Sequence, residues 1–233
     1  MHHQVQPLPA QGVAFFMLHR TLILANGELL EGATLKARIE AWSPDMVIAA
    51  DGGSRHASKL DLKINLVVGD LDSMEPAQRE TLRAQGTQFE HYKAEKEETD
   101  LELALLRAVE QGAAEIAVVG IVGDRLDMVV ANIQLLTHEA LSSIRAELWL
   151  GRQTAWLIRP PGGEFEGAPG DTLSLIPLKG DATSVTTSGL AYPLQEETLT
   201  FGPARGVSNV MEQEVCRVDL EAGILLAVHT QAA

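Results

Sequence analysis

Residues 99–120 have the sequence TDLELALLRAVEQGAAEIAVVG, in which an amphipathic segment leads into a short apolar run. Apolar residues of the first part recur at the spacing of one helix face: Leu101, Ala104, Leu105, Ala108 and Val109. Thr99 followed by Glu102 fits an N-terminal capping box, and Gly112 supplies a stop signal. The stretch therefore predicts a helix over 98–111 followed by a buried strand at Glu115–Val119.

The same alternation extends outward over residues 20–145. Apolar runs predict strands at Thr21–Ala25, Met46–Ala50, Asn65–Val68, Thr87–Tyr92 and Glu115–Val119. Amphipathic segments predict helices near 33–41, 54–60, 75–85, 98–111 and 125–141. Such alternation is typical of an α/β fold with a mostly parallel sheet flanked by helices, which we expect over residues 1–150.

The pattern changes after residue 150, where the Pro/Gly-rich stretch 159–163 interrupts the alternation. The rest is rich in Thr, Val, Leu and Gly and predicts strands at Thr172–Ile176, Thr183–Thr187, Thr198–Phe201, Val215–Leu220 and Ile224–Thr230. Residues 221–223 predict a hairpin turn between the last two strands. We therefore expect a smaller, sandwich-like all-β domain over residues 151–233.

Composition restricts the function. With 45% hydrophobic residues the 233-residue chain can bury a core, and a net charge of −14 argues against a nucleic-acid partner. The single cysteine, Cys216, excludes intrachain disulfides and is expected to be buried. The apolar run Val13–Leu18 is too short to span a membrane and no basic stretch precedes it, so we expect a cytoplasmic protein without a membrane partner.

Carboxylates follow two of the predicted parallel strands. Asp51 precedes a Gly-Gly pair after one strand, and Asp70 and Asp72 follow the next. Ligands of open α/β sheets bind beyond the carboxyl ends of the strands, so this placement favours a functional role. In extended backbone, Asp70 and Asp72 would project to the same side, where a hard cation such as Mg²⁺ relieves their repulsion. A solvated turn is the alternative for this pair.

Two further clusters fall at the same predicted edge. Asp100 lies in the first turn of the 98–111 helix, where it either compensates the helix dipole or belongs to a functional loop with Lys96. Lys96 and exposed backbone N–H groups of this loop could recognise a phosphate. Gly120 and Gly123 allow close approach of a phosphate, and Arg125 offers a bidentate grip. The chain contains neither a P-loop nor a G-x-G-x-x-G sequence.

Taken together, four motifs resemble those of the thiamine pyrophosphokinase family. They are Asp51-Gly-Gly53, Gly69-Asp-Leu-Asp-Ser73, Lys96-Glu-Glu-Thr-Asp-Leu-Glu-Leu-Ala-Leu105 and Gly120-x-x-Gly-x-Arg-x-Asp127. The C-terminal half also resembles the β domain of that family, through 174–178, 187–194 and 206–209. The order and spacing of the set match over most of the α/β half.

The resemblance implies transfer of pyrophosphate from ATP to thiamine, giving AMP and thiamine diphosphate, with Mg²⁺ and in a homodimer. It implies that Asp70, Asp72 and Asp100 hold the metal and the triphosphate. Nucleotide or substrate binding is implied for Asp51, Lys96, Thr99, Arg125, Asp127, Ser208 and Asn209. Of these, Ser208 and Asn209 would face thiamine from the partner's β domain.

Two positions depart from the usual Gly-Gly-Arg-x-Asp-His pattern of that family, since Asp124 replaces a glycine and Met128 the histidine. Three alternatives therefore stay open. One is a pyrophosphokinase for another hydroxymethyl heterocycle, such as a pterin. Another is a non-catalytic thiamine or nucleotide sensor. The third is a phosphatase of the haloacid dehalogenase type, which also carries Asp-x-Asp after a strand.

Overall fold

The strands and helices come from a computed structural model, which describes residues 19–72, 74–93 and 95–232 but not the side chain of Ala33. The strands of the first half are β1 (Arg20–Leu24), β2 (Met46–Ala50), β3 (Leu66–Gly69), β4 (Gln88–His91), β5 (Glu115–Val119) and β6 (Arg145–Leu150). The helices are α1 (Gly32–Trp42), α2 (Ala57–Leu60), α3 (Pro76–Ala84), α4 (Asp100–Glu110) and α5 (Leu126–Leu135), with 3₁₀ helices at Asp51–His56 and Glu139–Leu141.

The second half of the chain is built of strands. They are β7 (Gln153–Ile158), β8 (Gly162–Glu166), β9 (Thr172–Pro177), β10 (Ala182–Ser188), β11 (Glu197–Leu199), β12 (Asn209–Val210), β13 (Val215–Asp219) and β14 (Leu225–Thr230). Ten strands form one sheet in the order β12-β9-β14-β7-β6-β5-β1-β2-β3-β4, and four form a second sheet, β11-β10-β13-β8. Strands β1 to β6 pair in parallel, and the other pairs are antiparallel.

Alternation along the parallel strands produces two cores. Ile23 and Ile48 face one side of the sheet, where α4 packs, whereas Leu22 and Val47 face α1, α2 and α3 on the other side. A third core lies between the antiparallel end of the large sheet and the small sheet. The α/β fold with a following sandwich-like β part, as the sequence predicts, is confirmed.

The five strands predicted in the first half are confirmed to within two residues at each end, as is the helix predicted over 98–111. Strands β6, β7, β8 and β12 were not predicted, and the helix predicted near 125–141 ends at Leu135. The predicted hairpin at 221–223 is wrong, because β13 and β14 belong to different sheets and each pairs with other strands. The division at residue 150 stays a prediction; it falls in the turn between β6 and β7, which pair within the continuous large sheet.

Other predictions concern single segments. Cys216 is fully buried on β13, as expected. The run Val13–Leu18 and Ser73, which belongs to one of the motifs, lie outside the described residues. Within the described ranges, no helix combines the length and the apolar composition that crossing a bilayer requires.

Candidate active site

The order of the parallel strands opens a crevice at one edge of the sheet. From β1 the chain moves outward through β2, β3 and β4 and then returns to β5, on the opposite side of β1. The loops that follow β1 and β5 therefore leave in opposite directions from neighbouring strands. Ligands of open α/β sheets bind at such a switch point.

A cavity of about 270 Å³ occupies this crevice. Its walls come from the loops after β1 and β5 and from the first turns of α4 and α5. Among the lining residues are Asn26, Gly27, Asp100, Arg125, Met128 and Asn132. Of the other residues predicted for the site, Thr99 also lines the cavity.

Main-chain hydrogen bonds fix the loop after β1 against the loop after β5. The amide of Gly27 donates to the carbonyl of Gly120 at 2.6 Å, and the amide of Glu28 donates to that of Val122 at 2.6 Å. A Cβ atom added to Gly27 would lie 2.3 Å from the Val122 carbonyl oxygen, closer than atoms can pack. Glycine is thus required where the two loops meet.

The 3₁₀ helix at Asp51–His56 holds the same loop from below. The Arg55 guanidinium donates to the carbonyls of Asn26 at 2.6 Å and Gly27 at 2.9 Å. The His56 ring is 2% exposed, and its Nε2 lies 2.8 Å from the Gly27 carbonyl oxygen. Burial lowers the pKa of His56, so the ring is neutral and Nε2 carries the proton that it donates.

Asp51 and Asp100 converge over the end of β3. A Cβ atom built on Gly69 would lie 2.8 Å from the Cβ of Asp51 and 3.1 Å from an Asp100 carboxylate oxygen. Asp51 is 6% exposed at the start of the 3₁₀ helix, and Asp100 is the first residue of α4. The Cβ of Asp51 and the carboxylate of Asp100, from two separate βα junctions, thus both lie close to Gly69, the residue before Asp70.

The backbone of the Asp70–Asp72 segment differs from the expectation. Leu71 has a φ of +62°, and the amide of Asp72 donates to the Asp70 carboxylate at 3.1 Å. The segment is therefore a turn, and the extended geometry expected from the sequence is wrong here. Leu71 is buried and anchors the turn, whereas Asp70 is half-buried and Asp72 exposed.

Lys96 and Thr99 organise the start of α4. The Thr99 hydroxyl accepts the amide of Glu102 at 3.2 Å, which confirms the predicted N-cap. The Lys96 ammonium lies 2.5 Å from a carboxylate oxygen of Asp100. The Asp100 carboxylate is therefore stabilised both by this cation and by the positive end of the helix dipole.

Arg125 and Asp127 form an ion pair at the start of α5. The Arg125 guanidinium donates to the Asp127 carboxylate from Nε at 3.2 Å, and both side chains are exposed. The hydrogen bond from Arg125 lowers the pKa of Asp127. Arg125 lines the crevice, and because both side chains are exposed a ligand can replace either partner of the pair.

The donor chemistry at this edge fits a hard divalent cation. Carboxylate oxygens are the ligands that Mg²⁺ prefers, and Mg²⁺ uses only one or two of them when phosphate and water complete its shell. In the part of the chain that the structure describes, no group of three or more Asp, Glu, His and Cys side chains is close enough to hold a metal ion. Joint coordination by Asp70, Asp72 and Asp100 stays a prediction.

Ser208 and Asn209 lie far along the sheet from the crevice. Asn209 belongs to β12, the edge strand at the antiparallel end, and its side chain bonds the main chain of Tyr192 at 2.7 and 3.0 Å. Ser208 is exposed, and its amide donates to the Ser174 hydroxyl at 3.1 Å. Within one chain, the structure does not bring these two residues to the carboxylates.

Several residues at the crevice were not predicted as site residues from the sequence. Asn26 and Gly27 follow β1 after a single residue, so the rule used for Asp51 points to them as well. Asn132 on α5 is 7% exposed and donates from Nδ2 to the carbonyl of Ile121 at 3.0 Å. Its Oδ1 has no hydrogen-bond partner among the described residues. Neither the buried Asn132 nor His56 carries a sequence signal.

The fold and crevice define a class: a doubly wound α/β protein whose switch-point site combines glycine loops, cations and carboxylates suited to a phosphorylated ligand. Comparison with known proteins is more specific. The family model "Thiamin pyrophosphokinase, catalytic domain" matches residues 40–148, and "Thiamin pyrophosphokinase, vitamin B1 binding domain" matches residues 164–225.

Individual relatives agree. Thiamine pyrophosphokinase of Bacillus subtilis is 31% identical over 165 residues, which are 70% of this chain and 76% of the relative. Thiamine pyrophosphokinase 1 of Oryza sativa is 25% identical over 73% of this chain and 67% of its own length. The crystal structure of the Bacillus subtilis protein has a TM-score of 0.80 at 24% identity, covering 92% of this chain and all of that one. The yeast thiamin pyrophosphokinase structure has a TM-score of 0.73 at 17% identity, covering 92% and 87%.

The chain belongs to the thiamine pyrophosphokinase family. The family predicted from the sequence is therefore confirmed, and so is the predicted class of enzyme, a diphosphotransferase. The phosphatase alternative has no support in these comparisons. Met128 does line the crevice, so the departure from the usual family pattern lies at the site itself.

Proposed function

We propose that this chain transfers pyrophosphate from ATP to the hydroxyl group of thiamine, giving thiamine diphosphate and AMP. The observation that carries the proposal is the Asp100 carboxylate, which lies near Gly69 and lines the switch-point crevice of a chain from this family. Phosphoryl-type transfers depend mainly on positioning and charge neutralisation, which such an arrangement supplies.

ATP occupies the crevice in this proposal. The glycines at 120 and 123 admit phosphate close to the main chain, and Arg125 and Lys96 turn from their carboxylate partners to phosphate oxygens. Thr99 and the free amides of the first turn of α4 add neutral donors. Asp127 lies beside Arg125 and orients it.

Mg²⁺ is the proposed metal, held by Asp100 together with Asp70 or Asp72. When bound, it supplies charge neutralisation at the phosphate oxygens. Asp51, whose Cβ also lies close to Gly69, lines the same cleft in this proposal. Lys96, which pairs with Asp100, and Arg125, which lines the crevice, add positive charge from protein side chains.

The transfer itself exchanges one bond at phosphorus. The thiamine hydroxyl oxygen attacks the β-phosphorus, the bond from this phosphorus to the oxygen bridging to the α-phosphate breaks, and AMP leaves with that oxygen. The hydroxyl proton passes to a carboxylate, Asp72 or Asp100. The protein's work is to align the attacking oxygen with the leaving oxygen.

Thiamine is proposed to bind between two subunits of a cytoplasmic homodimer. Ser208 and Asn209 are remote from the crevice of their own chain, so a partner is the simplest way to bring them near its substrate. Ser208 is exposed with a φ of +63° and is available for such a contact.

The test is incubation with ATP, Mg²⁺ and thiamine, followed by separation of nucleotides and thiamine esters. We expect equal amounts of AMP and thiamine diphosphate. Because Met128 lines the crevice, a hydroxymethyl pterin is the comparison substrate. If AMP forms faster with the pterin than with thiamine, the pterin is the substrate. If the protein binds ATP tightly but forms no AMP, it is a sensor.

A further inference from the structure

Lys96 forms an ion pair with Asp100, the carboxylate that would bind the proposed metal. Its ammonium lies 2.5 Å from Asp100, and the two side chains are only 14% and 30% exposed. The same ammonium lies 5.7 Å from the centroid of the Tyr92 ring, within the range of a cation–π contact. Two neighbours thus hold the lysine in place at the start of α4.

A second carboxylate near this position, that of Asp70, also accepts a hydrogen bond. The Asp100 carboxylate lies against Gly69, and the Asp70 carboxylate that follows accepts the amide of Asp72 at 3.1 Å. A divalent cation entering here in the absence of nucleotide meets a fixed positive charge at its best ligand. The Lys96 ammonium and a cation bound at the same carboxylate would repel each other strongly, because solvent is partly excluded there.

We propose that Lys96 is an internal counter-ion that keeps free divalent cations off Asp100 until a nucleotide arrives. This inference rests on the proposed metal-dependent function. A triphosphate offers the lysine a new anionic partner, and the flexible side chain can swing to it. Asp100 is released in the same event, so metal and nucleotide bind together.

Removing the lysine provides a direct test. Mn²⁺, a paramagnetic substitute for Mg²⁺, is titrated into the protein without nucleotide, and free Mn²⁺ is followed by electron paramagnetic resonance. Lys96→Met should bind Mn²⁺ about tenfold more tightly than the wild type, because a competing charge is gone. Lys96→Arg keeps the charge and should restore weak binding.

A matched control tests whether Mn²⁺ binds more tightly merely because an acidic protein has lost one positive charge. Lys36 also pairs with an aspartate, Asp61, at an exposed position. Lys36→Met should leave Mn²⁺ affinity unchanged. Equal tightening in both methionine variants, or none in Lys96→Met, would overturn the inference.

The wild type supplies a second test that needs no substitution. The melting temperature is measured at one Mn²⁺ concentration, with and without a non-hydrolysable ATP analogue. Mn²⁺ should raise the melting temperature when the analogue is present and leave it unchanged when the analogue is absent. A rise with Mn²⁺ alone would contradict the counter-ion role. Neither experiment contains thiamine, so a failure of pyrophosphate transfer to thiamine is read separately from a failure here.

Discussion

Two cavities lie at opposite edges of the parallel half of the sheet. The crevice at the carboxyl edge measures about 270 Å³, whereas a cavity of about 390 Å³ lies near the first residues of β1, β5 and β6. The second cavity has three arginines, two glutamates and two tryptophans in its wall. By size and charge alone, the amino edge would be the better candidate for a ligand site.

The contacts at the amino edge show otherwise. The Arg38 guanidinium stacks 3.8 Å from the centroid of the Trp149 ring, pairs with Glu147 at 3.6 Å and donates to the Thr154 hydroxyl at 2.9 Å. Arg20 pairs with Glu115 at 3.0 Å. These cations already have both aromatic and anionic partners.

At the carboxyl edge, the loops are held mainly by main-chain bonds and close glycine contacts. Arg55 and His56 also bond to carbonyls, which leaves Asp100, Arg125 and Asn132 facing the cavity. The carboxyl edge is thus distinguished by loops that main-chain bonds hold in place, so that a ligand can exchange for the ion-pair partners of Asp100 and Arg125 without loss of the scaffold. The following substitutions test that contrast.

Asp100→Asn should have the largest effect. The loss of one carboxylate charge at the reacting phosphates should lower kcat by about a hundredfold to a thousandfold, with the fold intact. Thiamine diphosphate formation measures the rate, and circular dichroism checks the fold. Glu115→Gln removes a charge at the amino edge and should keep activity within about threefold. Similar losses in both variants would erase the distinction between the edges.

Gly27→Ala tests the loop scaffold. The new methyl group would lie 2.3 Å from a carbonyl oxygen of the neighbouring loop, so the loops must separate. We expect a loss of about 1–3 kcal/mol in the free energy of unfolding and a higher KM for ATP. Gly32→Ala, where the added atom meets nothing within 4 Å, is the control and should change neither. Wild-type behaviour of Gly27→Ala would show that close loop contact is dispensable.

Arg38→Met tests the opposite edge. Burial lowers the pKa of Arg38, so part of its attraction to Glu147 and Trp149 is offset by the cost of burying its charge. We expect a loss of about 1–2 kcal/mol in the free energy of unfolding by urea, with kcat and KM unchanged. A lower kcat without a loss of stability would assign this edge a functional role.

The sequence predicts an element correctly where the local pattern of apolar residues determines its structure. Strands β1, β2, β3 and β5 are short, largely apolar runs, since both faces of the sheet are covered there, and α4 carries its own cap and stripe. Strand β6 was missed because Arg145 and Glu147 interrupt its apolar pattern; they face the amino-edge cavity. The false hairpin at 221–223 arose because pairing between β14 and its partners depends on contacts distant in sequence.

The site divides in the same way. Asp51, Asp70 and Arg125 could be placed because strand order alone brings the ends of parallel strands to one edge. The turn at Leu71 and the ion pair of Lys96 could not. The turn depends on burial of Leu71 in the core on the α1 to α3 side of the sheet, and the ion pair depends on side-chain packing at the start of α4. The same holds for His56, whose role exists only because the loop after β1 passes over it.

The smallest effect is expected from the titration of His56. Burial lowers the pKa of His56, and protonation would add a buried Nδ1–H that has no acceptor among the described residues. In the unfolded chain the imidazole titrates near its usual value of about 6.5. Below that pH the unfolded state takes up the proton first, so the free energy of unfolding falls as pH decreases toward the lower pKa of the folded state.

His56→Gln removes this pH dependence, because glutamine can still donate to the Gly27 carbonyl but does not titrate. Urea unfolding between about pH 7.5 and pH 5.5 should show a smaller loss of stability in the variant than in the wild type. His91→Gln, at an exposed position, should keep the wild-type slope. If His56→Gln also kept that slope, the imidazole would have to be accessible to protons in the folded state. The loop after β1 would then not be held by a neutral His56, which would weaken the proposed difference between the two edges.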